Sequence, residues 1–491
     1  MVLLSELARA FDASIQLDVQ ISSVVSQTSR VTPACAFAAL AGARVHGAAF
    51  ADAALQAGAS AIITDPEGAE ILNRSDVPML VLPDLSRRLG ELCNIVNGNV
   101  ADSLNMFAIT GTNGKTTTSY MLADLLRTAG RNVGLIGGVE IATAARSQPA
   151  TLTTPMADEV QELLAEHARS GGTDVVMEVT SHALEQHRVG GIRFAVAGFT
   201  NLTQDHLDYH ESMQAYFDAK AQLFSAEYAA AAVILIDDEW GMKLFENARA
   251  ARPNVFALTF RDQLDSHVPG WQARVLDDGS GCELIDANGQ RMGFQVSLPG
   301  TFNLHNAALA VCMALVGGVD PLQLPRNIAT VVPGRMQVIS DSSPRVIVDF
   351  AHNAAALELA LTASRANCHG DLIVVTGSAG DRDADKRFEM GRIAATLADV
   401  VIITDDDPHG EPAERIREAL MKGAVTGTAH VREIGNRTEA IHEAISSAHD
   451  ADTVLIAGRG HETIQEIGDV QHVLDDRVVA RQAIDRRNQL R

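Results

Sequence analysis

Residues 106–117 read Met-Phe-Ala-Ile-Thr-Gly-Thr-Asn-Gly-Lys-Thr-Thr, a short apolar strand running into a glycine loop with a lysine and two threonines. In such a loop, backbone N–H groups surround a phosphate and the lysine adds a point charge. A hydroxyl ligates Mg²⁺, and the next helix aims its positive N-terminus at the same anion. Gly111 and Gly114 are candidates for close backbone approach, Lys115 for the β- and γ-phosphates and Thr116 for the metal. Thr112, Asn113 and Thr117 complete the loop. Ile109 stands where the longer consensus has its first glycine, and the plainer reading is a turn between strand and helix. Read as a phosphate loop, the segment points to ATP.

Other residues could serve the same chemistry. Glu178 closes an apolar run just before Thr-Ser-His, either as an exposed cap or, with a phosphate loop upstream, as a magnesium ligand. Thr200-Asn-Leu-Thr-Gln-Asp-His-Leu-Asp-Tyr-His210 crowds two aspartates and two histidines together, as a binding segment or a polar loop. Tyr216, Lys220 and Phe224 recur at spacing four with Leu223 beside them, which puts an ammonium on an apolar helical stripe. Such a lysine either snorkels to water or is desolvated, partly neutral and chemically available. Gly-Asp-Arg-Asp (380–383), Lys386-Arg387, Asp405-Asp-Asp-Pro-His409 and Gly458-Arg-Gly-His-Glu462 each follow an apolar run, so all could share one rim.

The elements that must position these groups read as α/β. A helix over Thr117–Thr128 follows the loop, then apolar runs at Asn132–Ile136, Asp174–Val179, Phe194–Thr200, Ala232–Ile236 and Val255–Phe260. Helical stretches at Ala157–Arg169 and Ser212–Phe224 lie between them, which predicts a mostly parallel sheet covered on both faces. A second series (Val346–Phe350, Leu372–Thr376, Val400–Thr404, Val454–Ala457) looks like a separate Rossmann-like unit, and Ala61–Thr64 and Met79–Leu82 are strands of a smaller α/β unit. Three domains follow: 1–100, 101–333 and 334–491.

Composition sets limits. With 491 residues, each unit is large enough for its own core. The formal charge of −23 opposes nonspecific binding to nucleic acid or an anionic membrane. No apolar run approaches a membrane span, and the start Met-Val-Leu-Leu-Ser-Glu-Leu lacks the basic leader of a secretory signal. Five cysteines without a CxxC pair suit a reducing cytoplasm.

Six ordered segments carry a resemblance: Thr-Gly-Thr-Asn-Gly-Lys-Thr, Glu-Val-Thr-Ser-His-Ala-Leu, Thr-Gln-Asp-His-Leu-Asp-Tyr-His, Tyr-Phe-Asp-Ala-Lys, Gly-Thr-Phe-Asn-Leu-His-Asn and Gly-Arg-Gly-His-Glu. Over nearly the whole chain they resemble the Mur ligases of peptidoglycan synthesis, and most nearly those that add the third amino acid to UDP-N-acetylmuramoyl-L-alanyl-D-glutamate. The resemblance implies a small UDP-binding domain, a central ATPase and a C-terminal Rossmann-like domain, with ATP and Mg²⁺ as cofactors; a cytoplasmic monomer is the expectation for the chain. It implies that Lys115 holds ATP phosphates, that Thr116 and Glu178 bind one Mg²⁺, and that His206 and Lys220, the latter as its carbamate (N6-carboxylysine), bind a second. Asn303 and Asn306 would lie by the adenine, and Arg335 and Asp349 would reach ATP from across the domain junction. Ser29, Thr153, Thr154, Thr180, Gln186 and Arg188 match contacts to the UDP-muramoyl dipeptide. Arg382, Asp406, Asp407, Gly458 and Glu462 match the pocket for the incoming amino acid. A folylpolyglutamate synthetase is the more distant alternative; Ser29-Arg30 and Thr180, Gln186 and Arg188 argue against it.

Departures from the family pattern include Thr28 before Ser29-Arg30, His46 before Gly47, and Asp349-Phe-Ala-His-Asn-Ala354 without its usual proline. The most consequential is Asp406-Asp407-Pro408-His409. Members that use meso-diaminopimelate typically have Asp-Asn-Pro-Arg here, with an arginine able to fork onto a distal carboxylate. Histidine has no such fork, and Asp405 and Glu411 make the loop strongly acidic. The sequence therefore predicts L-lysine as the added amino acid, with L-ornithine next and meso-diaminopimelate as the alternative.

Overall fold

The computed structural model describes residues 1–490 except 43, 44, 262, 263, 266, 382, 383 and 385, with backbone alone at 208 and 490. Among the described residues, the strands gather into sheets of twelve, six and four, with two two-stranded ribbons.

The twelve-stranded sheet carries the phosphate loop. Its middle is parallel, in the order Val133–Ile136, Asp174–Glu178, Asn105–Thr110, Phe194–Phe199, Ala229–Leu235, Val255–Thr259, Gly270–Val275. All but the last, Gly270–Val275, are short runs of mainly branched and small apolar residues, largely buried on both faces, as a sheet under two helical layers requires. Strand Asn105–Thr110 lies between Asp174–Glu178 and Phe194–Phe199. The chain thus leaves this strand at a crevice between connections that run to opposite sides, where α/β sheets bind ligands. Helix Lys115–Thr128 begins there and packs on helix Thr301–Val316, an alanine-rich segment buried along nearly its whole length.

The expected helix Ala157–Arg169 forms as read, with Asp158 and Glu159 in its first turn and Arg169 in its last, both favourable to the helix dipole. Ser212 caps helix Met213–Ala221 by accepting from the Ala215 N–H at 3.1 Å, and a 3₁₀ turn continues it to Phe224. Outside the parallel core, the sheet continues through antiparallel Gly281–Asp286 and Arg291–Val296, which the reading of apolar runs did not detect. Their faces are half exposed and polar, so they leave no continuous apolar signal.

The six-stranded sheet runs Gln337–Ser340, Arg345–Asp349, Thr453–Ala457, Leu372–Thr376, Val400–Ile403, His430–Glu433, all parallel after its first pair. The four-stranded sheet, Ser23–Val25, Cys35–Ala39, Ala61–Thr64 and Met79–Val81, is wholly parallel.

The first unit is docked hard against the second. Arg30 reaches the buried Asp158 carboxylate at 2.9 Å, and the Ser26 N–H and hydroxyl donate to the same group at 3.0 and 2.9 Å. Helix Leu85–Val96 meets the turn at 187–191 backbone to backbone, and a Cβ at Gly90 would overlap the Gly190 carbonyl.

Candidate functional site

Gly111 lies at φ +145° and Gly114 at φ +88°, and a Cβ on either would collide with Thr200 or Asn306. Glycine is therefore required for the loop to turn into its helix. The loop is clamped from the Thr200 side: the Thr112 N–H donates to the Asn201 carbonyl at 2.9 Å, the Asn113 N–H to Asn201 Oδ1 at 3.0 Å and the Thr200 hydroxyl to the Asn113 carbonyl at 2.6 Å. Lys115 Nζ donates to the carbonyls of Gly111 and Thr112 at 3.0 and 2.8 Å, so it is folded back over the loop it belongs to. Burial lowers its affinity for a proton, Glu178 raises it and Arg335 lowers it further. Thr118 and Asn306 touch at 3.4 Å, and Asn306 donates to Asn303 at 3.1 Å. The two asparagines therefore line up behind the loop.

Glu178 is buried at the end of its strand rather than exposed as a cap. It accepts from the Thr116 hydroxyl at 2.9 Å and from the Gly138 N–H at 3.0 Å. From the third unit, Arg335 Nη2 donates to that same hydroxyl at 3.3 Å, with its guanidinium 4.3 Å above the Phe350 ring. Asp349 accepts from the Met336 N–H at 2.6 Å beside it; burial raises its pKa, and Arg335 opposes that. Two more groups cross between these units: Asn353 donates to Asn113 Oδ1 at 3.4 Å, and His461 Nε2 donates to the Gly138 carbonyl at 3.1 Å.

Lys220 is only 2 % exposed. Its Nζ lies 4.5 Å from the centroid of the Tyr216 ring, and His206 faces the same ring at 6.2 Å between centroids. Burial pushes its pKa well below the ordinary lysine value; nearby Lys115 adds to this and Asp205 works against it. The desolvated alternative for this lysine is the one the fold adopts. Asp205 itself ends with a lowered pKa although burial raises it, because His206, His352, Lys386 and Lys115 act on it together.

Thr154, Thr180, Gln186 and Arg188 form one cluster. Thr154 donates to the Glu178 carbonyl at 2.9 Å and lies 3.4 Å from the Thr180 hydroxyl. Arg188 donates to the Thr154 carbonyl at 2.8 Å and grips Gln186 Oε1 at 3.0 and 2.7 Å. Thr153 is next to it, facing Gly138, while Ser29 is exposed on the first unit's turn Thr28–Arg30.

In the third unit, Asp406, Asp407 and Glu462 bring carboxylate oxygens within 4.8 Å of one another below Gly458. Arg459, completely buried, donates to Asp407 at 2.5 Å and lies 3.9 and 3.8 Å from Asp406 and Glu462. Burial drives the Glu462 pKa up to about 8, helped by Asp406 and opposed by Arg459. Arg382 lies outside the described residues.

The acidity that made the 405–411 loop look repulsive to a carboxylate does not survive folding. Asp405 is ion-paired with Arg417, Asp407 with Arg459, and Glu411 with Arg387 at 2.8 and 2.7 Å. His409 meets Glu466 at 3.0 Å. Counting charges along the chain missed cations that arrive from other strands and helices. Arg459 and His461 sit inside the Gly-Arg-Gly-His-Glu motif and were within reach of the sequence; Glu466 and Arg417 carry no local signal.

The Mur ligase middle domain matches residues 109–314, the Mur ligase glutamate ligase domain 334–460 and the Mur ligase catalytic domain 20–96. The chain belongs to the Mur ligase family. It is 42 % identical to the UDP-N-acetylmuramoyl-L-alanyl-D-glutamate–2,6-diaminopimelate ligase of Corynebacterium efficiens, over 98 % of this chain and 94 % of that one. The ligase of the same name from Streptomyces avermitilis is 38 % identical over 98 % and 96 %. A solved structure of a ligase so named superposes with a TM-score of 0.66 at 30 % identity, covering 99 % of both chains. As a Mur ligase, this chain is an enzyme of the amide-forming class.

Proposed function

We propose that this Mur ligase joins a diamino acid to UDP-N-acetylmuramoyl-L-alanyl-D-glutamate at the expense of ATP. The observation that carries the reading is the meeting of three elements at Thr116. The phosphate loop supplies the hydroxyl, strand Asp174–Glu178 the carboxylate at 2.9 Å, and the third unit Arg335 at 3.3 Å. Lys115 is folded back on its own loop and is free to swing onto phosphate oxygens in exchange for two carbonyls.

A carboxylate is a poor acyl donor because its leaving group would be oxide. Its oxygen attacks the γ-phosphorus, ADP departs, and the resulting acyl phosphate accepts a neutral amine, which expels phosphate and sheds a proton. The chain's part is alignment and charge neutralisation. Thr116 and Glu178 are adjacent hard oxygen donors that fit a magnesium ion. Lys220, whose burial eases the loss of its proton, can as the free amine add to CO₂ and release H⁺, giving a carbamate that with His206 would hold a second ion. Such ions neutralise phosphate charge. The Thr154–Arg188 cluster, Thr153 and Ser29 would hold the UDP-dipeptide, and Asp406, Asp407, Gly458 and Glu462 the amino group of the incoming residue. Domain limits near 100 and 333 fit this division of labour, as does a cytoplasmic monomer that engages neither nucleic acid nor membrane.

The names of the relatives support 2,6-diaminopimelate as the amino acid, and the paired acids of the 405–411 loop remove the main objection to it. L-lysine stays as a second reading on one observation: His409 occupies the position of the forked arginine and is engaged by Glu466. Phosphate release tests the whole reading. It should require ATP, Mg²⁺, the UDP-dipeptide and a diamino acid together, and Lys115→Ala should abolish it without unfolding the protein. Full turnover by that variant, or release without the dipeptide, would overturn it.

A further inference from the structure

The Glu178 carboxylate is held at both oxygens, and each hold is reached from the third unit at one remove. On one side Arg335 Nη2 donates to the Thr116 hydroxyl at 3.3 Å, which donates to Glu178 Oε2 at 2.9 Å. On the other, His461 Nε2 donates to the Gly138 carbonyl at 3.1 Å, and the Gly138 N–H donates to Glu178 Oε1 at 3.0 Å. The two peptide planes that flank Gly138 are thus gripped from opposite sides. Two backbone bonds of 3.2 Å anchor the ends of this turn, from the Gly137 N–H to the Glu140 carbonyl and from the Ala150 N–H to the Val139 carbonyl. It is packed too closely for side chains: a Cβ at Gly137 would lie 2.3 Å from Glu178 Oε1, and one at Gly138 3.1 Å from the Thr153 hydroxyl. Glycine imposes little torsional preference of its own, so the turn aims its N–H at Glu178 only as firmly as its neighbours hold it.

The third unit presents His461 rigidly to this contact. Its ring packs on Phe350 at 5.0 Å between centroids, and Phe350 in turn lies under the Arg335 guanidinium at 4.3 Å. A Cβ at Gly334 would come within 2.1 Å of the His461 backbone nitrogen, so Arg335 and His461 belong to one packed block. A carbonyl only accepts, which puts the ring's proton on Nε2. Nδ1 is buried with no partner among the described residues, so a second proton there would have nothing to donate to. Burial, with Arg335 and Arg477 nearby, pushes the ring's pKa down to about 3 and keeps it neutral. We infer that His461 is a positioning residue: by holding the Gly138 carbonyl it sets the turn that aims Glu178, and so ties the orientation of this carboxylate to the docking of the third unit. His461 lies between Gly458 and Glu462, so the segment that would hold the amino acid also carries the clasp on the phosphate side. The effect on turnover rests on the proposed ligase reading; the clasp itself belongs to the unliganded protein.

Two variants separate the donor from the packing. His461→Phe keeps a ring on Phe350 and removes the N–H, whereas His461→Gln loses the ring and keeps a donor of similar reach. In full-length unliganded protein labelled with ¹⁵N-glycine, solvent exchange of the Gly138 N–H should speed up about five- to tenfold in His461→Phe, the effect of one neutral hydrogen bond, and stay within about threefold of wild type in His461→Gln. The Mg²⁺ concentration giving half-maximal phosphate release should rise by a similar factor in His461→Phe, and His461→Gln should recover most of that loss. A packing role predicts the reverse order, with His461→Gln the worse of the two. That order, or Gly138 exchange in His461→Phe within about twofold of wild type, would overturn the inference. Long-range ¹H–¹⁵N spectra of the wild type should place the ring proton on Nε2; a proton on Nδ1 would also overturn it, even where neither variant folds. Wild-type protein that releases no phosphate with ATP, Mg²⁺, the UDP-dipeptide and either diamino acid would overturn the ligase reading instead, and Gly138 exchange would still decide the role of His461.

Discussion

Lys220→Met should separate stability from activity. Lys220 is 2 % exposed, with its Nζ 4.5 Å from the Tyr216 centroid. A desolvated cation–π contact favours the ammonium by about 2 kcal/mol. Removing an ammonium from water costs several kcal/mol, and Lys115 adds like-charge repulsion. Desolvation therefore outweighs the ring, and Lys220 holds its proton less tightly than an exposed lysine does. Because the folded pKa lies below the unfolded one, the unfolded chain binds the extra proton at neutral pH. The resulting penalty is complete below the folded pKa and is relieved as pH rises towards the unfolded value. Replacing such a group with an apolar side chain of similar length should stabilise the fold by ~1–4 kcal/mol, and each kcal/mol is about 2–4 °C of melting temperature for a unit of 150–250 residues. Thermal melts at pH 7 in bicarbonate-free buffer should thus rise for Lys220→Met, while phosphate release disappears. Wild-type activity should climb on adding bicarbonate, which traps the amine as its carbamate. A variant that melts several degrees lower, together with wild-type activity indifferent to bicarbonate, would mean that Lys220 is a solvated or paired ammonium.

Two further outcomes follow from geometry already described. Gly90→Ala forces a methyl into the Gly190 carbonyl, so it should cost ~1–3 kcal/mol and shift the turn bearing Gln186 and Arg188; KM for the UDP-dipeptide should rise roughly tenfold, while calorimetric ATP affinity stays within about twofold. Glu462, with its pKa raised from 4.5 to about 8, takes up a proton on folding between these values, so the unliganded protein should lose stability as pH rises from 5 to 8. Glu462→Gln should flatten that slope in melts across the range, and an unchanged slope would show that the carboxyl is not protonated.

The parallel cores were legible because their strands are buried on both faces and read as unbroken apolar runs. Asp174–Glu178 and Leu372–Thr376 emerge within a residue of their expected limits. The phosphate loop was legible because its glycines, lysine and threonines are adjacent in the chain. Lys220 could be singled out because helical spacing alone placed it among Tyr216 and Phe224. The amino-acid pocket was only half legible. Its acids are contiguous, but the arginines that neutralise them come from residues 387, 417 and 459. Net repulsion is a property of the assembled site, and a loop's own composition does not determine it. The hairpin Ile464–Ile467/Val470–Val473, which carries Glu466, escaped notice for a related reason: its side chains are largely exposed and give no burial pattern to read.

Arg335, Asn353 and His461 reach the central unit at 3.3, 3.4 and 3.1 Å around the phosphate loop. These bonds are made by the protein alone, and each is worth about 0.5–1.5 kcal/mol. Together they favour an arrangement in which the space beside Thr116 is narrowed by the residue that would greet a phosphate. A nucleotide that enters only when the third unit stands away meets a fraction of the molecules, so its rate of arrival is scaled by that fraction. Every 1.4 kcal/mol of such self-contact slows that arrival about tenfold, while affinity is untouched by any bond that the bound complex keeps. The bonds that complete the site in the reacting complex thus compete, in the resting enzyme, with the arrival of the nucleotide.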